Sequence, residues 1–228
     1  MLLHSSSVML ALKQALSLSS TKILGAWSPE QEASLVAWYQ YQTGITLNGS
    51  DVSEWADYTG VYDMIQATAV NQPAYSSGTL TFDSADTQFL QTTGQIILAG
   101  DFTIGFRVEP TGTFLGTVLG DNTTANEFMR FNGVSSFRVN IDTNPQNFVI
   151  TSAGDNYYVL TRSGTTVTLH QNGTATSPTR TLSGTADIDT IGDSNSSASF
   201  NGTMKEIQIY SSTSAALTAN VNSRLAGL

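Results

Sequence analysis

Hydrophobic and polar residues alternate with a period of two through much of the chain, which is the pattern of half-buried β-strands. The clearest strand covers residues 102–108, and Pro110 ends it because proline cannot donate to a β-ladder. A hairpin is predicted over residues 157–173, with Ser163 and Gly164 as the turn between its strands. This patterning predicts an antiparallel sheet protein.

Further segments of the same kind complete the predicted sheet. They are residues 34–41 as a central strand, 79–82 and 87–90 as a hairpin, and the single strands 117–120, 127–131, 136–141, 190–192 and 204–210. Leu217, Val221 and Leu225 are spaced four apart, which predicts a closing amphipathic helix with Thr218 near its N-cap. Short strands at regular spacing, with Asn and Gly in the turns, indicate a two-layer β-sandwich.

The charge and the composition of the chain argue against several classes of binding partner. The net charge is −9 and only 9 residues are Lys or Arg, which argues against binding to nucleic acid or to an anionic membrane surface. No stretch approaches the roughly 20 apolar residues of a membrane span, so membrane insertion is not expected. Cysteine is absent, which excludes disulfide and thiol chemistry and favours folding in a reducing cytosol.

The first residues are predicted to form a separate segment. Residues 1–26 contain a mixed apolar pattern, without the basic start or the small-x-small cleavage site of a signal peptide. The pattern is compatible with a short helix and with an extended arm. We interpret residues 1–26 as an arm that anchors the protein to a neighbouring subunit, with packing on its own domain as the alternative. Residues 27–228 are predicted to form one domain.

Four motifs, in order along the chain, resemble the laminin-G-like branch of the concanavalin A-like lectin/glucanase superfamily. They are TLTFDSADTQFL, DFTIGFRVEP, YYVLTRSGTTVTLHQNG and SFNGTMKEIQIY. The resemblance implies an all-β fold: a concanavalin A-like (laminin-G-like) antiparallel β-sandwich jelly roll with a short N-terminal arm and a C-terminal helix.

A narrower resemblance involves the two ends of the domain. LVAWYQYQTGITLNGSDVSEWADYTG, the following QPAY and the C-terminal helix ending in AGL resemble laminin-G-like proteins of tailed-phage virions. This implies a virion structural protein on the phage particle surface, either a capsid decoration or a tail accessory subunit, made in the host cytoplasm. The arm would bind other virion proteins, and a homo-oligomer is expected. The alternative is an adhesin that binds host-surface glycans.

The residue pattern offers little support for catalysis. A glycoside hydrolase of this superfamily needs paired carboxylates about 5–10 Å apart. The glucanase branch places them in an E-x-D-x-x-E run, which is missing here, and Glu127 and Glu206 stand alone. The histidines, His4 and His170, cannot form a multi-histidine metal site. We therefore expect a protein that is not an enzyme and that requires no cofactor.

Candidate binding residues lie in loops, which carry function disproportionately. A sugar site needs a stacking ring and planar polar groups, and the candidates are Trp55, Tyr58, Tyr62, Asp121, Asn122 and Asn126. For Trp55 the alternative is structural: its indole covers the core while Asp57 accepts backbone N–H groups. The resemblance also implies a calcium site at Asp121, Asn122, Asp193 and Asn195, for which ordinary turn formation is the alternative role.

Overall fold

The computed structural model describes residues 27–112, 116–124, 126–151, 154–195 and 198–228. Within these ranges the fold is all-β and antiparallel with one C-terminal helix, an arrangement consistent with a β-sandwich. The strands are β1 (Leu35–Tyr39), β2 (Ile45–Asn48), β3 (Asp51–Trp55), β4 (Met64–Ile65), β5 (Ala74–Ser76), β6 (Thr79–Phe82), β7 (Leu90–Leu98), β8 (Phe102–Pro110), β9 (Gly116–Gly120), β10 (Phe128–Phe131), β11 (Ser136–Ile141), β12 (Asn144–Val149), β13 (Asn156–Ser163), β14 (Thr166–Gln171), β15 (Thr174–Ala175), β16 (Arg180–Thr181), β17 (Ala186–Ile191) and β18 (Gly202–Tyr210). The helix, α1, is Ala215–Ala226, and short 3-10 turns occupy Pro29–Gln31, Ala69–Asn71 and Ser84–Asp86.

Hydrogen bonds between neighbouring strands divide the longer strands into two continuous sets, which we call the first run and the second run. The first run is β1–β18–β8–β13–β14, and the second is β7–β17–β9–β10–β11–β12. The short strands β2 to β6 join the runs at one edge, since β6 pairs with β18 and β4 pairs with β7. The predicted hairpin over residues 157–173 is confirmed as β13 and β14.

Side chains from both runs fill a common core. The Phe106 ring of the first run lies 5.3 Å from Tyr158 of the same run and 5.7 Å from Phe137 of the second. Phe131 completes the contact with an edge-on approach of 5.2 Å to Phe137. Aromatic pairs at these separations add packing energy beyond the burial of their area. Phe102, Ile104, Phe106 and Val108 of β8 are buried as the alternation predicts, but Thr103, predicted to face outward, is fully buried as well.

The C-terminal helix packs on the outer face of the first run. Leu217, Val221 and Leu225 are buried there against Val159 and Tyr210, which confirms the four-residue spacing as the buried stripe of a helix.

The N-cap of α1 lies next to Thr218, as predicted. Ser214 is the N-cap, and its Oγ accepts a hydrogen bond from Leu217 N at 3.0 Å. Thr218 lies inside the first turn, where its Oγ1 donates to Ser214 O. Ser214 therefore caps the helix, and Thr218 supports the same turn.

Other strand predictions are wrong in detail. Residues 34–41 contain β1, but among the described residues β1 pairs with β18 alone and forms the edge of the first run. Residues 79–90 do not form a hairpin: β6 pairs with β18 and β5, while β7 pairs with β17 and β4. The 3-10 turn Ser84–Asp86, capped by Asp83, redirects the chain from one run to the other.

Residues 1–26 lie outside the described ranges. The predictions that depend on them, an anchoring arm, binding to other virion proteins, a homo-oligomer and a location on a virion, stay predictions. In the part of the chain that the structure describes, no helix has the length and apolar content needed to cross a bilayer.

Candidate functional site

The outer face of the second run, opposite the core, carries a group of polar side chains around one aromatic ring. The group consists of Thr117 on β9, Phe128 and Arg130 on β10, and Arg138 and Asn140 on β11. They share this face because the residues that alternate with them, such as Met129, are in the core. The register places Arg130 opposite both Thr117 and Arg138, and places Phe128 opposite Asn140. We refer to these five residues as the outer-face cluster.

Two arginines lie directly opposite each other in this cluster. Arg130 and Arg138 are cross-strand partners, and like charges in that position destabilise a sheet. Burial lowers the pKa of Arg130, and the positive charge of Arg138 lowers it further. The Arg130 guanidinium lies 4.0 Å from the centre of the Phe128 ring, a cation–π contact that partly offsets this repulsion.

Several polar atoms of the cluster are buried without a hydrogen-bond partner in the described ranges. They are Thr117 Oγ1, Arg130 Nε and Asn140 Oδ1. Thr117 is 0% exposed and Asn140 is 6% exposed. An unsatisfied buried polar group costs about 1–3 kcal/mol, so a native fold normally supplies a partner from the chain, from water or from a ligand. Three such atoms lie at neighbouring positions of one face.

Two loops border the cluster. The Oγ of Ser194 lies 3.4 Å from Asp121 O and 3.3 Å from Glu127 O, so the loop after β17 contacts the loop between β9 and β10. In addition, Thr117 N on β9 donates to Ala198 O, in the loop after β17, at 2.9 Å. The loops that hold the predicted candidates therefore meet, but the outer-face cluster itself was not among the sequence candidates.

The polar sequence candidates in these loops mostly form turns. Asp121 is buried, and its Oδ1 accepts hydrogen bonds from Thr123 N at 2.6 Å and from Thr123 Oγ1 at 2.7 Å. Asn122 N donates to Asp189 Oδ1 at 2.7 Å. Asn126 is exposed, and its N donates to Thr124 Oγ1 at 3.2 Å. The bonds of Asp121 and Asn126 are those expected of Asx and Ser/Thr turns, and the bond of Asn122 ties its loop to β17.

The implied calcium ligands are partly engaged in the same way. Asp193 is buried, and its Oδ1 accepts from Ser199 Oγ at 3.4 Å, while Asn195 occupies a left-handed turn position with φ of 48°. Among the described residues, no group of three or more His, Asp and Glu side chains is arranged to hold a metal ion. Calcium binding therefore rests on the resemblance alone and stays a prediction.

The aromatic candidates lie away from the outer-face cluster. Trp55 is fully buried in the core and its Nε1 donates to Gln40 O at 3.1 Å, so its ring is not available to stack on a sugar. Tyr58 is 54% exposed and packs at a tilt against Trp38, with 5.1 Å between ring centres. Tyr62 is partly buried against the core.

The structural role given as the alternative for Trp55 and Asp57 is confirmed. Asp57 is buried, and its carboxylate accepts hydrogen bonds from the backbone N–H groups of Trp38, Val61 and Tyr62. The indole of Trp55 meanwhile covers the core, as the structural interpretation of the pair predicts.

Glu127 and Glu206, which belong to no E-x-D-x-x-E run, are both held by close partners. Glu206 is fully buried and pairs with Arg224 of α1. Glu127 is buried at the start of β10, where its Oε1 accepts from Asp142 N at 2.6 Å. Burial raises the pKa of Glu127 to about 7, and the nearby carboxylates of Asp142 and Asp187 raise it as well. A carboxyl group of this kind holds a proton near neutral pH, which is chemistry that the sequence analysis did not anticipate.

The pKa values of two β17 side chains are also raised. Burial raises the pKa of Asp187 and of Asp189, with Asp121 adding to both effects. Asp189 is held in place because Gln91 Nε2 donates to its Oδ2 at 3.2 Å. Carboxyl groups therefore gather at the end of the second run, next to the outer-face cluster.

Comparison with known proteins gives matches of fold. No family model matches the chain, and no curated protein sequence matches it. Among solved structures, the Trypanosoma rangeli sialidase in complex with the inhibitor DANA is 13% identical with a TM-score of 0.57, covering 98% of this chain and 39% of that chain. Domain 4 of AbnA, a GH43 extracellular arabinanase from Geobacillus stearothermophilus in complex with arabinotriose, is 16% identical with a TM-score of 0.56, covering 84% of this chain and 98% of that chain. This chain therefore corresponds to well under half of the sialidase and to nearly the whole of the arabinanase domain.

These matches correct the prediction that the protein is not an enzyme. The all-β fold is shared with structures of sialidases and of an arabinanase, which are enzymes, so the missing E-x-D-x-x-E run does not exclude an enzyme. At 13% to 16% identity the likeness shows the fold and does not transfer an activity.

Proposed function

We propose that this protein binds carbohydrate through the outer-face cluster of a concanavalin A-like (laminin-G-like) β-sandwich jelly roll. The observation that carries the proposal is the group of buried, unpartnered polar atoms on that face: Thr117 Oγ1, Arg130 Nε and Asn140 Oδ1. Loops that border the face place further polar groups at its edge.

The chemistry of these atoms suits a sugar. A sugar hydroxyl both donates and accepts, so one hydroxyl can donate to Asn140 Oδ1 while a neighbouring oxygen accepts from Arg130 Nε. Thr117 Oγ1 can take either role because its hydroxyl hydrogen rotates. Recognition of this kind depends on a few precisely placed polar groups. Phe128 packs beneath the Arg130 guanidinium and holds it in position.

The comparisons support carbohydrate as the class of ligand. Domain 4 of AbnA, which has a similar fold, is in complex with arabinotriose in its structure. That ligand is a property of the other protein, and the proposal for this chain depends on its own unpartnered groups.

A glycan array probed with the purified full chain tests the proposal. We expect binding to a subset of glycans, and we expect Asn140→Ala to weaken it about tenfold, since a lost hydrogen bond of this kind is worth roughly 1.4 kcal/mol. Tyr58→Ala is the matched control, because Tyr58 is the most exposed aromatic sequence candidate and lies outside the cluster.

Two results would contradict the proposal. Absence of binding to every arrayed glycan would refute carbohydrate binding. Loss of binding in Tyr58→Ala, with Asn140→Ala unchanged, would move the ligand to the Trp38–Tyr58 surface. Circular dichroism melting of each variant separates loss of the fold from loss of the ligand contact.

A further inference from the structure

Four asparagines in the chain are followed directly by glycine, the pair in which asparagine most readily loses its side-chain amide. They are Asn48, Asn132, Asn172 and Asn201. In this reaction the backbone nitrogen of the glycine attacks the asparagine Cγ, the Cγ–Nδ2 bond breaks, and ammonia leaves with the backbone proton. Water then opens the resulting succinimide ring at either carbonyl, which yields aspartate or isoaspartate. Glycine favours ring closure because it has no Cβ to obstruct the attack.

Hydrogen bonds hold three of these asparagine side chains in place. Asn48 Nδ2 donates to Gln72 Oε1 at 3.1 Å. Asn172 is held at both ends of its amide, because Oδ1 accepts from a backbone N–H at 3.1 Å and Nδ2 donates to a side-chain oxygen at 2.6 Å. Asn201 Nδ2 donates to a backbone oxygen at 3.2 Å. Since the amide must rotate toward the next backbone nitrogen, each of these bonds opposes ring closure.

The side chain of Asn132 is free of such bonds. Asn132 follows β10 and begins the turn to β11, where its backbone N donates to Ser136 O at 2.8 Å. Its side chain is partly exposed and makes no hydrogen bond to another described residue. The amide of Asn132 can therefore rotate without breaking a contact.

The space around each glycine favours the same pair. A Cβ added to Gly133 would meet nothing within 4 Å, so the turn after Asn132 has room to change its backbone shape. At Gly202 an added Cβ would lie 2.2 Å from Glu109 O, so that turn is confined by the neighbouring strand. Gly49 is as open as Gly133, but the hydrogen bond of the preceding asparagine to Gln72 remains. A free amide and an open glycine coincide at Asn132.

We propose that Asn132 is a site of spontaneous deamidation, and that in the folded protein it reacts faster than the other three Asn-Gly pairs. The site adjoins the outer-face cluster. Asn132 lies two residues after Arg130, and Ser136 lies two residues before Arg138. At about 3.3 Å per residue, the turn begins within about 7 Å of the two arginines along the strands.

Both products alter the turn between β10 and β11. Aspartate adds a negative charge close to the two arginines of the cluster. Isoaspartate inserts the Cβ atom into the main chain, and in a hairpin the turn fixes the register of the two strands. Because that register places Arg130 opposite Arg138 and Phe128 opposite Asn140, isoaspartate would shift these side chains relative to one another. Resting on the proposed function, we expect glycan binding to fall as isoaspartate accumulates.

Peptide mapping of the full chain, aged in its folded state at mildly alkaline pH, tests the proposal. Trypsin cleaves after Arg130 and Arg138, so Asn132 is the only asparagine of the peptide FNGVSSFR, and the other three pairs fall in three other peptides. Mass spectrometry measures the conversion of amide to acid in each peptide. We expect Asn132 to react at least about fivefold faster than each of the others, which is the factor that one intramolecular hydrogen bond contributes.

Two controls separate the effect of the fold from that of the sequence. In guanidinium chloride the hydrogen bonds are absent, so the four pairs should react at similar rates. Asn132→Gln blocks the reaction at this position, because a less favourable six-membered ring would have to form. Equal rates at Asn132 and Asn48 in the folded chain would overturn the proposal, as would an Asn132 that reacts only after unfolding.

Glycan binding by fresh and aged chains tests the consequence for the cluster. Binding by the aged original chain should fall in proportion to its isoaspartate fraction, while aged Asn132→Gln should bind like the fresh variant. If the fresh chain binds no glycan, the proposed function is wrong, and the peptide map still decides whether Asn132 deamidates. If fresh and fully modified chains bind equally, the expected effect on the cluster is wrong.

Discussion

Arg224 of α1 donates from Nε and Nη2 to the two carboxylate oxygens of Glu206, at 2.5 and 2.9 Å. Glu206 lies on β18 and is fully buried, and the Arg224 guanidinium also lies 4.7 Å from the centre of the Trp38 ring. The ion pair therefore fixes α1 to the first run. Without Arg224, the Glu206 carboxylate would have no access to water.

Removing the arginine should destabilise the fold. We expect Arg224→Met to lower the free energy of unfolding by about 3 kcal/mol, because it leaves the buried Glu206 carboxylate with only the uncharged donors Tyr41 N and Gln208 Nε2. Lys205→Met is the control: its partner Asp155 is partly exposed, and the change should be under about 1 kcal/mol. Urea unfolding measures both. Equal effects of the two substitutions would show that burial of the pair adds nothing.

The helix approaches the sheet closely at Gly105. A Cβ added there would lie 2.4 Å from Val221 Cγ1 and 3.1 Å from Leu225 Cδ1. We expect Gly105→Ala to lower the free energy of unfolding by about 1–3 kcal/mol through overpacking. Gly94→Ala on β7 is the control, since its Cβ would meet nothing within 4 Å. Thermal melts of both variants measure the effect. The double variant Gly105→Ala/Val221→Ala, which removes the clashing methyl groups of Val221, should recover part of the lost stability. A Gly105→Ala protein as stable as Gly94→Ala would contradict it.

Stability should depend on the protonation of Glu127. Burial raises its pKa from an ordinary value of 4.5 to about 7, so folding favours the protonated form. That contribution is complete below pH 4.5 and is lost as the pH rises through about 7. Glu127→Gln imitates the protonated side chain, and we expect it to be more stable than the original chain at pH 8 by on the order of 1–2 kcal/mol. At pH 4 the difference should disappear.

Chemical unfolding across this pH range measures the effect. Glu109→Gln serves as the control because Glu109 is exposed. A gap between Glu127→Gln and the original chain that stays constant with pH would rule out titration of Glu127 as its cause.

The arginine pair should reduce stability in the absence of ligand. Arg130 and Arg138 face each other without a carboxylate, so we expect Arg138→Gln to stabilise the free protein by about 0.2–1 kcal/mol at low ionic strength. The gain should shrink in high salt, where the repulsion is screened. Melting curves at two salt concentrations measure this. A variant that is less stable at both would show that the contact of Arg138 with Asn147 outweighs the repulsion.

The sequence predicts those elements that are strongly periodic. The β8 strand and the α1 helix each follow one period over two or more repeats, and their buried faces are those predicted. The β12 strand, Asn144–Val149, was missed because NPQNFV contains a proline and little alternation. It forms because β11 offers it a complete antiparallel ladder, which is a property of the assembled sheet rather than of the segment.

The candidate site could be predicted only in part. Loop residues rich in Asp and Asn were chosen by type, and Asp121 and Asp193 instead engage neighbouring groups of their own loops. The outer-face cluster depends on the register of β9, β10 and β11, which sequence does not supply. A signal was nonetheless present: Arg130 and Arg138 are two of only 9 basic residues, each on a short alternating strand.

Trp27 and Leu228 both lie on the side of the helix. The Trp27 ring is 6.5 Å from Tyr210, and Leu228 packs against the same small cluster on the outer face of the first run. The outer-face cluster is on the outer face of the second run, on the other side of the core. A bead or a chip joined through an exposed side chain of α1 would therefore stand behind the molecule and leave the outer-face cluster turned toward the surrounding solution.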